Sequence, residues 1–214
     1  MMKRQGFTLA EVLITLGIIG VVAAMTIPTL ISNTNGAQFK TAYKKALSTL
    51  NQAVLMNVAL EDTDFSGMVK DADKDSGITV EEFLKSRLQS ANEITDSYTA
   101  LPTIAAYKAN DDDSDNVTVN NAADIVLAFA DGTAFAYNKT TDARCTETTP
   151  CYGYIDVNGS TGPNQQTVCD NGTGDATNPC VVSATGIMDI FPVKYYGQTV
   201  EPASNAARAV LFGK

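Results

Sequence analysis

FTLAEVLITLGIIGVVAAMTIPTLI, residues 7–31, contains one ionisable side chain, Glu11, in 25 positions. As a helix it is about 37 Å long at 1.5 Å per residue. That is enough to cross a hydrocarbon core of about 30 Å with some tilt. Lys3 and Arg4 precede the run, and the next basic residue is Lys40. The positive-inside rule therefore puts the N-terminus in the cytoplasm and the chain beyond about residue 31 outside. Two residues spoil a plain anchor. Glu11 sits near the start of the run, where an ionised carboxylate is costly unless paired. Pro28 sits near its end, where it removes a backbone hydrogen bond and tends to kink a helix.

Outward from this run the chain becomes polar and acidic. It has 214 residues, 24 acidic against 15 basic, a net charge of −9 and no His. Residues 1–60 carry five basic side chains against Glu11 alone, whereas 61–124 carry 15 acids against five bases. An acidic surface repels a phosphate backbone, so no nucleic-acid partner is expected. Without His there is no Ser-His-Asp or Cys-His catalysis and no His-ligated metal site. No paired carboxylates stand out as an acid–base couple, and Gly172-Thr173-Gly174 is too short to be a phosphate loop. The expectation is a non-enzyme.

The segment KRQG-FTLAEVLITLGIIGVVAAMTIPTL resembles the N-terminus of type IV pilins and type II secretion pseudopilins. That resemblance implies cleavage by a prepilin peptidase between Gly6 and Phe7, with methylation of the new N-terminus. Residues 1–6 are then a leader, Phe7 is the first mature residue, Glu11 the fifth and Pro28 the twenty-second. Ala10 stands where the family more often has a larger aliphatic residue. The residues support the same reading. A lone buried carboxylate needs a cation, and residues 7–31 contain none. Cleavage supplies one, the α-amino group of Phe7. In the family the partner is the neighbouring subunit's N-terminus, so Glu11 sets register between subunits. The plainer alternative is a glutamate at a helix N-terminus, favoured by the macrodipole. Another processing route is an ordinary secretory signal over residues 3–24, with Val22 and Ala24 preceding a cut at Met25. The apolar pattern running on to Ile31 speaks against it.

After a polar joint at residues 32–36, Phe39, Tyr43, Leu47, Leu50, Val54 and Val58 recur at helical spacing. Lys40, Lys44, Lys45, Asn51 and Gln52 fall mainly on the other side. The spacing predicts one helix from about Phe7 to Val58, softened at Pro28 and near Gly36. Residues 7–31 are its transmembrane and assembly half, and 32–58 its amphipathic continuation. Residues 59–214 form a head of ordinary domain size. Within it Thr79–Ser90 reads as a short helix, with Phe83, Leu84 and Leu88 inward. Ile125–Ala130 and Thr133–Tyr137 flank an Asp131-Gly132 turn. Tyr152–Val157 and Phe191–Tyr196 read as strands, and Ala203–Phe212 as a helix capped by Ser204 or Asn205. The expected class is α+β, a long helix packed on a small antiparallel sheet. YIDVNGSTGPNQ, residues 154–165, followed by Asp189–Val193, also resembles the C-terminal region of the pilin group.

All four cysteines fall in the head. An even count in an oxidising compartment favours disulfides. Cys145–Cys151 and Cys169–Cys180 are the favoured pairs, because each closes a short loop; no C-x₂-C spacing supports zinc. DADKDSGITVEE, residues 71–82, has the spacing of a calcium loop, with Asp71, Asp73, Asp75, Thr79 and Glu82 as oxygen ligands. Ser76 stands where that loop wants glycine. The alternative is a solvated turn in which Ser76 or Thr79 caps the next helix.

The resemblance implies a filament subunit that needs no cofactor. Its partners are copies of itself, the prepilin peptidase, an inner-membrane assembly platform and the membrane. Its location is the inner membrane in a single pass, with a periplasmic head, and then a periplasmic or extracellular filament. The rival is a secreted calcium-binding domain with an ordinary signal peptide.

Overall fold

The computed structural model describes residues 8–88, 92–93, 104–107, 116–119, 124–139, 141–159, 161–172, 174 and 177–213. Helix α1, Leu9–Glu61, runs for 53 residues, about 80 Å at the helical rise. Its two halves live in different surroundings. The N-terminal apolar window, of mean hydropathy 2.2, is wholly exposed in the single chain. In the second half Gly36, Tyr43, Ala46, Leu47, Leu50, Ala53, Val54 and Asn57 are buried. That is the predicted stripe, and it lies against the head.

The head opens with two short 3₁₀ turns, Phe65–Gly67 and Asp71–Ser76, and helix α2, Val80–Lys85. Among the described residues eight strands follow: β1 Asn92–Glu93, β2 Ile104–Tyr107, β3 Asn116–Val119, β4 Asp124–Ala128, β5 Ala134–Asn138, β6 Cys151–Asp156, β7 Ile190–Tyr196 and β8 Thr199–Pro202. Helix α3, Asn205–Phe212, ends the chain. The main sheet has the order β1-β4-β5-β6-β7-β8, every neighbour antiparallel. β2 and β3 pair separately and lie against β6 and β7.

Alternation along the strands makes both faces of the sheet apolar. On one face Leu127, Phe135, Tyr137, Ile155, Phe191, Val193 and Tyr195 meet the stripe of α1. The joint is aromatic: Tyr43 stacks on Phe191 at 4.1 Å between centroids, and Phe65 packs on Tyr195 at 4.9 Å. Val126, Ala134, Ala136, Tyr152, Tyr154, Ile190 and Ala203 form a smaller cluster on the other face.

Polar side chains complete the docking of α1. Asn51 donates to the Val200 carbonyl at 2.8 Å and accepts from the Val200 N–H at 3.0 Å, acting as a strand partner for β8. The sequence pattern had placed it on the outer side. Asn57 donates to the Phe83 carbonyl at 3.0 Å and accepts from Ser86 at 3.0 Å, which fastens α2. Lys45 pairs with Asp131 at 2.9 Å, tying α1 to the β4–β5 turn.

As expected, α1 is one helix through Gly36, and the glycine there serves close approach. A Cβ at that position would lie 2.0 Å from the Ala184 carbonyl oxygen. The predicted helix over 79–90 ends at Lys85, and residues 89–90 lie outside the described residues.

Candidate functional site

The N-terminal site is built on the first turn of α1. Gly6 and Phe7 lie outside the described residues. Thr8 is the N-cap, and with Glu11 it forms a reciprocal capping box. The Thr8 hydroxyl accepts from the Glu11 N–H at 3.3 Å. In return the Glu11 carboxylate accepts from the Thr8 N–H and hydroxyl, both at 2.8 Å. Orphan donors of the first turn are thus satisfied from within the chain. Sequence reasoning had singled out Glu11 but not Thr8, although Thr8-Leu9-Ala10-Glu11 carries the capping-box spacing. Beyond this turn the helix presents Leu9, Leu13, Ile14, Ile18 and Ile19, each more than half exposed. Pro28 stands within α1, which continues through it.

Both disulfides join the cysteines that close the short loops, Cys145–Cys151 and Cys169–Cys180. The first lies at the start of β6, where the Cys145 N–H donates to the Phe65 carbonyl at 3.0 Å. The second ties together the long excursion between β6 and β7.

Residues 71–82 lead into a capped helix start. Asp71–Ser76 form a 3₁₀ turn. Thr79 is the N-cap of α2, and Glu82, the expected distal ligand, accepts from the Thr79 N–H at 3.1 Å and the Thr79 hydroxyl at 3.3 Å. Among the described residues no group of three or more His, Cys, Asp or Glu side chains is placed to hold a metal. Ser76 stands where a calcium loop has its sharp glycine turn.

A different constellation surrounds the turn after β6. Asp156 and Asp189 are both fully buried. Asp156 Oδ1 accepts from the Asn158 N–H at 3.1 Å. The Asp189 carboxylate accepts from the N–H groups of Asn164 at 2.7 Å and Gln165 at 2.8 Å, while its own carbonyl accepts from the Val157 N–H at 3.0 Å. Asp189 is therefore the clasp that holds the turn to β7. Burial pushes the Asp156 carboxyl up to about 7, and the charge of Asp189 adds to the rise.

Residues 1–27 match the prokaryotic N-terminal methylation motif. This is the prepilin-type signal of type IV pilins and pseudopilins. No curated protein and no solved structure matches the chain. The prepilin-type signal covers the leader and the exposed half of α1, and the head behind it has the α+β build of a pilin. The single apolar helix under that motif fits anchoring in a membrane.

Proposed function

We propose that the chain is a filament subunit, made as a membrane-inserted precursor, cut between Gly6 and Phe7, and assembled through its N-terminal helices. The observation that carries this reading is an apolar half-helix, unpartnered in the single chain, with one acid in its first turn and a prepilin-type signal over it.

Energetics give Glu11 its task. Moving an apolar helix from lipid into a bundle of like helices gains little hydrophobic free energy, because lipid tails are as apolar as leucine. Close packing and polar pairing must therefore steer assembly, and the work of extraction comes from elsewhere. Before assembly the Glu11 carboxylate is satisfied by Thr8. Cleavage then creates an ammonium at Phe7, four positions before Glu11 in sequence and equally available to the Glu11 of a neighbour. A charged pair at low dielectric is strongly favoured over either charge alone, which fixes the axial step between subunits. The prepilin peptidase and an inner-membrane platform are the partners this route requires. The head then stands on the outer side of the membrane and on the outside of the fibre.

Mass spectrometry of the mature protein tests the cut. An N-terminal Phe7, methylated, is expected; Met25, or uncut Met1, would overturn the reading. Glu11→Ala is expected to insert into the membrane normally while reducing filament yield about tenfold or more, the scale of one lost buried charge pair. Filaments at wild-type yield would remove Glu11 from this role.

A further inference from the structure

The turn after β6 contains more oxygen than its own backbone uses. Three buried side-chain oxygens there have no hydrogen-bond donor: Asp156 Oδ2, Asn158 Oδ1 and Asn164 Oδ1. Asp156 itself is 0% exposed. Its Oδ1 accepts from the Asn158 N–H at 3.1 Å, which turns the carboxylate toward the residues that follow β6. Asn158 donates its amide to the Gly162 carbonyl at 3.2 Å, which leaves only its oxygen free. Beside them stands Asp189, whose two oxygens each take one backbone N–H and keep lone pairs. Among the described residues no Lys or Arg pairs with either carboxylate.

Two buried acids with no cation and three orphaned acceptors form a costly arrangement as it stands. Every donor atom is a hard oxygen, from carboxylate and amide, within one turn and its clasp. Such a set suits a calcium ion, which takes six to eight oxygens in flexible geometry and completes its shell with water. Magnesium demands a stricter octahedron, and zinc prefers nitrogen and sulfur. We propose that Asp156, Asn158, Asn164 and Asp189 bind one Ca²⁺. The site is separate from residues 71–82 and independent of the filament reading.

The test uses the full chain in detergent micelles, stripped with a chelator and titrated with CaCl₂ by calorimetry and by thermal unfolding. One Ca²⁺ per chain is expected, with a Kd of about 10⁻⁴–10⁻³ M, the range of extracellular modules. Ca²⁺ should raise the midpoint of head unfolding, and MgCl₂ at the same concentration should not. Asp156→Asn should weaken binding about tenfold or more, on the scale of losing a ligand charge. Asn158→Ala keeps both carboxylates and should also weaken binding, so it supplies the readout if Asp156→Asn fails to fold. The combined variant Asp71→Asn, Asp73→Asn, Asp75→Asn should bind as the wild type does. No heat and no stabilisation at about 10 mM Ca²⁺ would overturn the site. Equal stabilisation by Mg²⁺, unaltered binding by Asn158→Ala, or binding abolished by the triple variant would do the same.

Discussion

Asp142 is a carboxylate that the head tolerates rather than exploits. It is 8% exposed. Tyr195 donates its hydroxyl to Oδ2 at 2.5 Å and the Asn138 N–H donates to the same oxygen at 3.0 Å. Burial nevertheless prevails over these bonds and pushes the carboxyl up to about 6, from 3.8. The native state thus holds this proton more tightly than the unfolded chain does. Its contribution to stability is complete below about pH 4 and fades as pH rises through about 6. The rise is worth at most about 3 kcal/mol. Asp142→Asn preserves an acceptor for Tyr195 and Asn138 but cannot titrate. Chemical denaturation between pH 4 and 7, in chelator, should show the variant taking up about one proton fewer on folding. A wild-type slope in Asp142→Asn would mean that Asp142 is not the group that titrates. Thr8 and Glu11 teach another lesson at this scale: the same acid that is proposed to set register already has an intramolecular partner.

Among the elements, α1 carries the most information, and its contact with the 181–187 segment is the least expected part of it. Gly36 is a poor helix former, costing about 1 kcal/mol relative to alanine. Propensity alone says that Gly36→Ala should stabilise. Packing says the reverse, because the new Cβ would stand 2.0 Å from a backbone oxygen that no side-chain rotamer can move. Overpacking of that kind costs about 1–3 kcal/mol, so packing wins. Gly36→Ala should lower the unfolding midpoint of the head, read by near-ultraviolet circular dichroism. A stabilised variant would show that the segment moves aside without cost. Asn51 and Asn57 work the same joint from the polar side, each satisfying backbone groups at the edge of a different element.

Taken whole, the molecule is a long helix with a sheet packed on half of it; one disulfide lies in the main core and the other in the half-buried excursion between β6 and β7. Cys145–Cys151 closes a separation of 6 and Cys169–Cys180 one of 11. Chain entropy assigns them about 2 and about 3 kcal/mol respectively. Replacing Cys169 and Cys180 by Ser should destabilise the head by up to about 3 kcal/mol and open residues 169–187 to limited proteolysis. The helical signal of α1 should persist. Protection equal to the wild type would mean that packing on Gly36, not the cross-link, holds that excursion.

Much of this build was legible in the residues. An apolar run with one acid, then a stripe at helical spacing, dictates a long helix with one face in need of a partner, because periodicity is a local property. Alternation and an Asp-Gly turn did the same for β4 and β5, and Tyr152–Val157 and Phe191–Tyr196 were found as β6 and β7 within a residue at each end. Strand β8 was not foreseen: TVEP is short, contains proline, and is secured by Asn51 from far away in the chain. The Thr79 cap of α2 was one of the two readings the spacing of 71–82 allowed, and Glu82 completes it as a capping box. Residues 154–165 and Asp189 stood out in the sequence only as a resemblance, and the burial of their oxygens could not be read from it. Asp156 and Asp189 are 33 positions apart in sequence, and only the antiparallel pairing of β6 with β7, which sets Asp156 opposite Ile190, closes that distance. What chain-local pattern can specify, the sequence specified alone; the oxygen-lined turn needed tertiary structure, because burial and long-range pairing are not local quantities.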